Sequence, residues 1–464
     1  MSTTGMKPAT RQLFGTDGIR GVAGEYPLNT ATVFAIGRAL GARLQRRDSK
    51  ARVIFGQDTR ESSAWIAETL ARGVKDSGIG VASAGVLTTP GVAYLTRTHG
   101  FAAGVVISAS HNPWQDNGIK LFGPDGMKLS DMIEHEIEAE IFAHISELAG
   151  AHGEPTKDAH DVLPGEAELR NDYIDWLLKN IDIAPLRGMC VLVDCAHGAA
   201  TSVAPELFQR CGMDAVFLNV APDGRNINAA CGALHPEFVA KTIAAEGHYA
   251  LGITFDGDAD RALFSDPKGH VVNGDPVMLL TARDMKQRGL LKHDTVVATT
   301  MSNMGLEKAL RSSGINMLRA NVGDKYVLEE MLKMGATLGG EQSGHILFMD
   351  GDATTGDGLL TALRVLDVIA RTGKSVDELV ADLRDFPQVI RNIKVREKVP
   401  MEQLPTVIMA IHAAESELNG NGRVVVRYSG TERLARVMIE AESAPLMNKH
   451  VDAIAGELQK AIGI

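Results

Sequence analysis

Nowhere in the 464 residues is there an uncharged apolar stretch of about 18 residues, the length a membrane-spanning helix needs. The opening MSTTGMKPATRQLFG lacks the apolar core of a signal peptide. Both absences lead us to expect a cytoplasmic protein with no membrane partner. Cysteine is scarce: Cys190, Cys195, Cys211 and Cys231 fall in one region without CxxC pairing, which excludes a zinc-finger pattern or a disulfide framework. Basic residues form no run and the formal net charge is −11, so a nucleic-acid or anionic-membrane surface is excluded. Any anionic ligand must be held by a local basic pocket. Aromatic residues make up only 5%, while 48 glycines imply many short turns.

What is present is an ordinary globular composition, 45% hydrophobic and 23% charged, over about three times the usual single-domain length. Three runs rich in β-branched residues, VIFGQDTR from Val53, CVLVDCAHGAA from Cys190 and DTVVATTMSNMG from Asp294, each end in a polar or Gly-containing loop. Helical patterns such as AWIAETLARGVKDSGIG and TARDMKQRG lie between them, giving the βα units of mixed α/β domains. The C-terminal part differs: a helix around PTVIMAIHAAESELNG, strands at GRVVVRYSG and ARVMIEAES, and a last amphipathic helix predict a small α+β domain. The expected division is 1–158, 159–263, 264–376 and 377–464.

Four segments carry chemistry. In VVISASHNPWQDNGIKLFGPDG an apolar strand runs into a polar loop, where ligands of α/β sheets usually sit. Ser110 there, followed by His111, Asn112 and the rigid Pro113, is either a nucleophile or part of an ordinary turn. Lys120 is either a cation that steadies phosphate charge or a solvated surface lysine. In FDGDADR, Asp256, Asp258 and Asp260 alternate, which predicts three carboxylates on one side of an extended segment and a divalent cation to neutralise them. An EF-hand is excluded, because its sixth and twelfth positions are Arg261 and Pro267. GGEQSGH combines Glu341, Ser343 and His345 between glycines, suiting either sugar hydroxyls or a plain polar turn. In RYSGTERLARVMIE, Ser429, Gly430 and Thr431 with Arg427 and Arg436 make a good site for a dianionic phosphate.

The ordered set SASHNP, DGDADR, GEQSGH and RYSGTE resembles the α-D-phosphohexomutase superfamily along nearly the whole chain. FGTDGIRG at Phe14–Gly21, Gln342 in the GEQSGHI loop and TTGDG at Thr354–Gly358 resemble the branch acting on glucosamine phosphates more than the phosphomannomutase/phosphoglucomutase branch. The resemblance implies three related mixed α/β domains plus a C-terminal α+β domain, TATA-binding-protein-like, around a central cleft. It implies a phosphorylated Ser110, magnesium held by Asp256, Asp258 and Asp260 with a phosphoserine oxygen, and Arg20, Lys120 and Arg261 around the transferring phosphoryl. Catalytic roles for His111 and His345 are implied as well. Glu341 and Ser343 would bind sugar hydroxyls with His345 beside them, and Arg427, Ser429, Gly430, Thr431 and Arg436 the distal phosphate. The implied activity interconverts glucosamine 6-phosphate and glucosamine 1-phosphate through a 1,6-bisphosphate, supplying UDP-N-acetylglucosamine for cell-wall synthesis, and a homodimer is implied. Three departures from the family pattern are Ala259 for Gly, Arg433 for Pro and Ala233-Leu234 for Ser-Thr.

Overall fold

A computed structural model describes residues 13–15, 17–150, 163, 166–429 and 433–464. Its first sheet contains β1 (Phe14–Gly15), β2 (Gly18–Val22), β3 (Arg52–Gln57), β4 (Gly80–Val86), β5 (Ala103–Ile107) and β6 (Asp116–Phe122), in the order β1-β2-β6-β5-β3-β4. The second contains β7 (Cys190–Asp194), β8 (Asp214–Leu218), β9 (Leu251–Phe255), β10 (Ala262–Ser265) and β11 (Val271–Val272), in the order β11-β10-β9-β7-β8. It therefore continues past residue 263. The third contains β12 (Thr295–Thr299), β13 (Asn316–Ala320), β14 (Leu338–Gly340) and β15 (Ile346–Phe348), in the order β13-β12-β14-β15.

One four-stranded core recurs in all three. β3 lies between parallel β4 and β5, and antiparallel β6 pairs with β5. β7 lies between parallel β8 and β9, with antiparallel β10 on β9. β12 lies between parallel β13 and β14, with antiparallel β15 on β14. The three β-branched runs of the sequence hold the same central strand each time. The expectation of three related α/β units is thus borne out by topology, which side-chain identity alone was too divergent to prove. Strands covered on both faces read as apolar runs, and every residue of β5, β9 and β12 is buried.

The last sheet is antiparallel, β16 (Gln388–Lys394), β17 (Gly422–Tyr428) and β18 (Leu434–Ala441) in the order β16-β18-β17. The helices Pro405–Leu418 and Ala444–Ile462 pack against it, as expected for a small α+β unit. One apolar cluster runs through Ile54, Tyr173, Phe208, Phe255 and Leu366, so the first three units share a core. The fourth has its own, around Val395, Val437, Ile439 and Leu458. Each such side chain contributes about 1.5–3 kcal/mol on burial, so the first three units are bound together more firmly than the fourth is to them. The fourth is joined by polar contacts. Arg423 donates to the carbonyls of Thr300 (2.7 Å) and Ser302 (2.8 Å), and buried Glu440 accepts from Arg423, Gln388 and the Met304 N–H.

All four chemical segments occupy equivalent places, the turn from a strand into its antiparallel neighbour. Ser110 lies between β5 and β6, the aspartates between β9 and β10, Glu341–His345 between β14 and β15, and Ser429 between β17 and β18. In the three α/β units that turn stands at the carboxyl end of a parallel strand, where chain ends of the sheet open to ligands.

Candidate active site

Ser110 has φ of 53°, a left-handed conformation uncommon for a residue with a Cβ, and is almost wholly buried. This turn points its hydroxyl out of its own loop, and Oγ donates to Asp256 Oδ2 of the second unit. His111 Nδ1 lies 3.3 Å from Oγ. Burial, then the Arg261 and Arg20 charges, pull the His111 pKa down to about 4, so its imidazole is neutral at pH 7.

The aspartate segment is a tight turn, not the extended segment its alternation predicts. Ala259 has φ of 54°, and its N–H donates to the Asp256 carbonyl at 3.1 Å. Turning, rather than the two-residue strand period, brings the three carboxylates together: one oxygen from each lies within 4.8 Å of the others. A left-handed residue here explains why glycine suits the position, and alanine holds it at a cost of about 1–2 kcal/mol. The turn is pinned by its neighbours. Thr89 N–H donates to the Asp258 carbonyl, and Thr89 Oγ1 to the Asp258 carboxylate. Thr88 caps the helix Thr89–Thr98 by accepting from Gly91 N–H, which sets Thr89 in place.

The donor set fits a hard divalent cation. All three carboxylates are buried, and among the described residues Asp258 Oδ1 has no hydrogen-bond partner, a costly state unless a cation meets it. Burial first, then Asp260 and Asp258, push the Asp256 pKa well above the usual carboxylate range. Asp260, although burial opposes it, is held well below that range by Lys120 and His345. The cluster resists carrying three uncompensated charges.

Lys120 on β6 is buried, not a solvated surface lysine. Its Nζ lies 2.7 Å from Asp258 Oδ2 and 3.2 Å from both Asp260 Oδ2 and Asp17 Oδ2. Burial disfavours its charge, but these carboxylates outweigh that and raise its pKa. Asp17 also pairs with Arg20 and with Lys128, which reaches across to Asp324 of the third unit. His345 stands between units, Nδ1 3.6 Å from Asp260 and Nε2 3.5 Å from Asp324. Gly356 of the TTGDG segment seats the imidazole: its N–H donates to Nε2 at 3.2 Å, and a Cβ there would lie 2.3 Å from that atom.

Beside these groups opens a cleft of about 420 Å³ whose walls include Arg20, His111, Lys128, Asp260, Arg261, Asp324, Glu341 and His345. Glu341 accepts from Gly323 N–H at 3.1 Å. Ser343 is exposed and is not among the residues lining this cleft. Gln342 turns away from it, its amide 3.3 Å from Asp275.

The C-terminal arginines form a second, separate pocket of about 240 Å³ with Met301, Ile390, Val425 and Met438. Arg427 and Arg436 face each other directly across β17 and β18, and Asn392 pairs with Arg436 from β16, giving one polar row. Like charges opposite one another cost stability, a cost an anion between them removes. Ser429 is buried beside this row, and Gly430 and Thr431 lie outside the described residues.

Models of the phosphoglucomutase/phosphomannomutase family match four times in order: alpha/beta/alpha domain I at 11–147, domain II at 171–269, domain III at 273–386 and the C-terminal domain at 391–457. The chain belongs to the phosphoglucomutase/phosphomannomutase family. Within it, the chain is 66% identical over 465 residues to a phosphoglucosamine mutase of Koribacter versatilis, covering 100% of both. It is 49% identical to one from Solibacter usitatus, covering 98% of this chain and 99% of that one. Among solved structures, a family protein of Burkholderia thailandensis superposes with TM-score 0.77 at 22% identity, covering 97% of this chain and 99% of that one. An Aspergillus fumigatus N-acetylphosphoglucosamine mutase, in complex with GlcNAc-6P and magnesium, superposes with TM-score 0.63 at 18% identity, covering 98% and 96%. At these identities the superpositions establish the fold.

Several residues of this site escaped sequence reasoning. Asp17 lies inside FGTDGIRG, where only Arg20 was singled out, while Lys128, Asp324 and Thr89 sit in segments with no local chemical pattern. They join the site through contacts 111 to 196 residues apart along the chain, which no window of sequence reveals. Of the departures from the family pattern, Arg433 is exposed, and Leu234 is 55% exposed, so neither enters the cleft.

Proposed function

We propose that the chain is a cytoplasmic isomerase that interconverts glucosamine 6-phosphate and glucosamine 1-phosphate, using phospho-Ser110 as the phosphoryl carrier. The observation that carries the reading is the buried juxtaposition of the Ser110 hydroxyl, three carboxylates and Lys120. The amino-sugar substrate follows the full-length relatives named phosphoglucosamine mutase. Asp256, Asp258, Asp260 and a phosphoserine oxygen would hold magnesium, which supplies charge neutralisation for the phosphoryl group. Arg20, Lys120 and Arg261 meet the remaining charge, because a phosphoserine carries about −1.5 to −2 at pH 7 and the sugar phosphate as much again.

In the first half-reaction the bond from Ser110 Oγ to phosphorus breaks and one from phosphorus to the free sugar hydroxyl forms. The hydroxyl proton leaves and Oγ regains one, giving the 1,6-bisphosphate. The bisphosphate then turns end for end and returns its other phosphoryl group to Ser110. Such transfers need in-line positioning and charge stabilisation above all. Glu341 and His345 border the sugar, and Arg427, Ser429 and Arg436 take the non-reacting phosphate once the C-terminal unit closes on the cleft, which also excludes water. The weakly joined fourth unit supports such closure.

The test compares kcat/KM for glucosamine, glucose and mannose phosphates with magnesium. At least about a tenfold preference for the amino sugar, near 1.4 kcal/mol, is expected, and preference for a neutral sugar overturns the substrate assignment. Replacing Arg427 with alanine is expected to raise KM about tenfold or more while kcat changes less, and an unchanged KM removes Arg427 from the phosphate site.

A further inference from the structure

The backbone around Ser110 is held by two buried side chains to which the reaction gives no role. Arg60 Nη2 donates to the Ser110 carbonyl at 3.1 Å and to the Asn112 carbonyl at 2.6 Å. Asn228 Nδ2 donates to the same two carbonyls, at 2.9 Å and 3.1 Å. Arg60 comes from the first unit, just before the helix Glu61–Asp76, and Asn228 from the second, between β8 and β9. Both are at least nine-tenths buried.

The peptide on the other side of the Ser110 Cα is also held. Ser110 N–H donates to Ser108 Oγ at 2.9 Å, Ser108 Oγ donates to Asp58 at 2.7 Å, and Asp58 pairs with Arg60. The guanidinium charge is thereby balanced inside the loop's own support. Space is cleared for the grip as well: a Cβ on Gly257 would lie 2.4 Å from the Ser110 carbonyl oxygen and 3.0 Å from Asn228 Nδ2. Asn228 itself has φ of 59° and Ser110 φ of 53°, so two residues in a disfavoured conformation meet through one hydrogen bond.

We propose that Arg60 and Asn228 are positioning residues, a two-sided clamp on the Ser110 and Asn112 carbonyls that keeps phospho-Ser110 aimed at the sugar hydroxyl and away from water. The inference rests on the reading of Ser110 as the phosphoryl carrier. Ser110 alternates between hydroxyl and phosphoester during each turnover, and the direction of Oγ must be the same in both. Donors fixed on the backbone hold that direction whatever the side chain carries, and a misplacement of about 1 Å costs up to about a hundredfold in rate. Because one donor comes from each of two units, the clamp also registers the serine loop against the aspartate turn.

The test uses the full-length protein with magnesium, glucosamine 6-phosphate and a catalytic amount of the 1,6-bisphosphate. Asn228→Gly removes the donor while tolerating the left-handed backbone, and Arg60→Lys keeps the charge beside Asp58 but loses the fork. Measured are kcat, KM, Tm and inorganic phosphate released per mutase turnover. A fall in kcat of about tenfold to a hundredfold is expected in Asn228→Gly, with KM within about threefold, Tm nearly unchanged and more phosphate released per turnover. Arg60→Lys is expected to lose less than Arg60→Ala. Wild-type kcat in Asn228→Gly overturns the clamp, and so does a loss that follows a fall in Tm with phosphate release per turnover unchanged. If Asn228→Gly fails to fold, Arg60→Lys carries the same readouts. An inactive wild type, or full activity in Ser110→Ala, overturns the carrier reading and the clamp with it.

Discussion

Ser110→Ala is expected to lower mutase turnover by at least about a thousandfold while the protein stays folded. Among the described residues, Ser108 and Thr89 cannot take over. Ser108 Oγ is engaged by Asp58 and by the Ser110 N–H, and Thr89 Oγ1 by Asp258. Structurally the change is small. Alanine enters the left-handed region about as poorly as serine, and what is lost is the hydrogen bond from Oγ to Asp256, worth about 1 kcal/mol. Asp256 keeps the Arg261 N–H as a donor, 3.2 Å from its other carboxylate oxygen, so the loss does not strip the carboxylate of hydrogen bonds. A coupled assay of glucosamine 1-phosphate formation, with Tm and intact mass, checks this. Activity within about tenfold of wild type removes Ser110 as the carrier, and loss of folding contradicts the stability argument.

The second expectation concerns the aspartate turn and reads binding rather than turnover. Magnesium at about a hundred times its Kd stabilises the folded state by about 2.7 kcal/mol, a rise of a few degrees in Tm for a chain of this size. Asp258→Asn keeps the shape of the side chain but removes one of the three charges, and with it most of that rise. The buried Asp258 Oδ1, without a hydrogen-bond partner among the described residues, is the reason to choose this residue. Lys120 keeps Asp17 and Asp260 as partners, so the variant does not strand a buried cation. Activity is expected to fall by at least about a hundredfold and to vanish in wild type on chelation, returning with magnesium. An equal rise in Tm in both proteins places the cation elsewhere.

Much of the site is legible in the sequence because each chemical segment is short and local. A strand, a turn and a return strand need only about twenty residues, so SASHNP, DGDADR, GEQSGH and RYSGTE each appear whole. The residues that convert these turns into one site are scattered. Lys128 joins Asp17 to Asp324, Asn228 reaches Ser110 and Asn112, and Gly356 seats His345. The alternation of the aspartates led to the correct cluster by an incorrect geometry, because period-two spacing assumes a strand and the backbone at Ala259 turns left-handed instead.

By itself the sequence determined the class of fold, the order of four units and the residues at the head of each turn, since β-branched runs, Gly-rich turns and polar clusters act over a few residues. Tertiary structure decided that Lys120 is buried among carboxylates, that Gln342 turns toward Asp275, that Ser343 is exposed, and that Arg427 and Arg436 lie in a pocket of their own. The physical reason is that burial, charge pairing and pKa depend on what approaches from another unit. That distance in space is set by packing of the shared core, not by spacing along the chain.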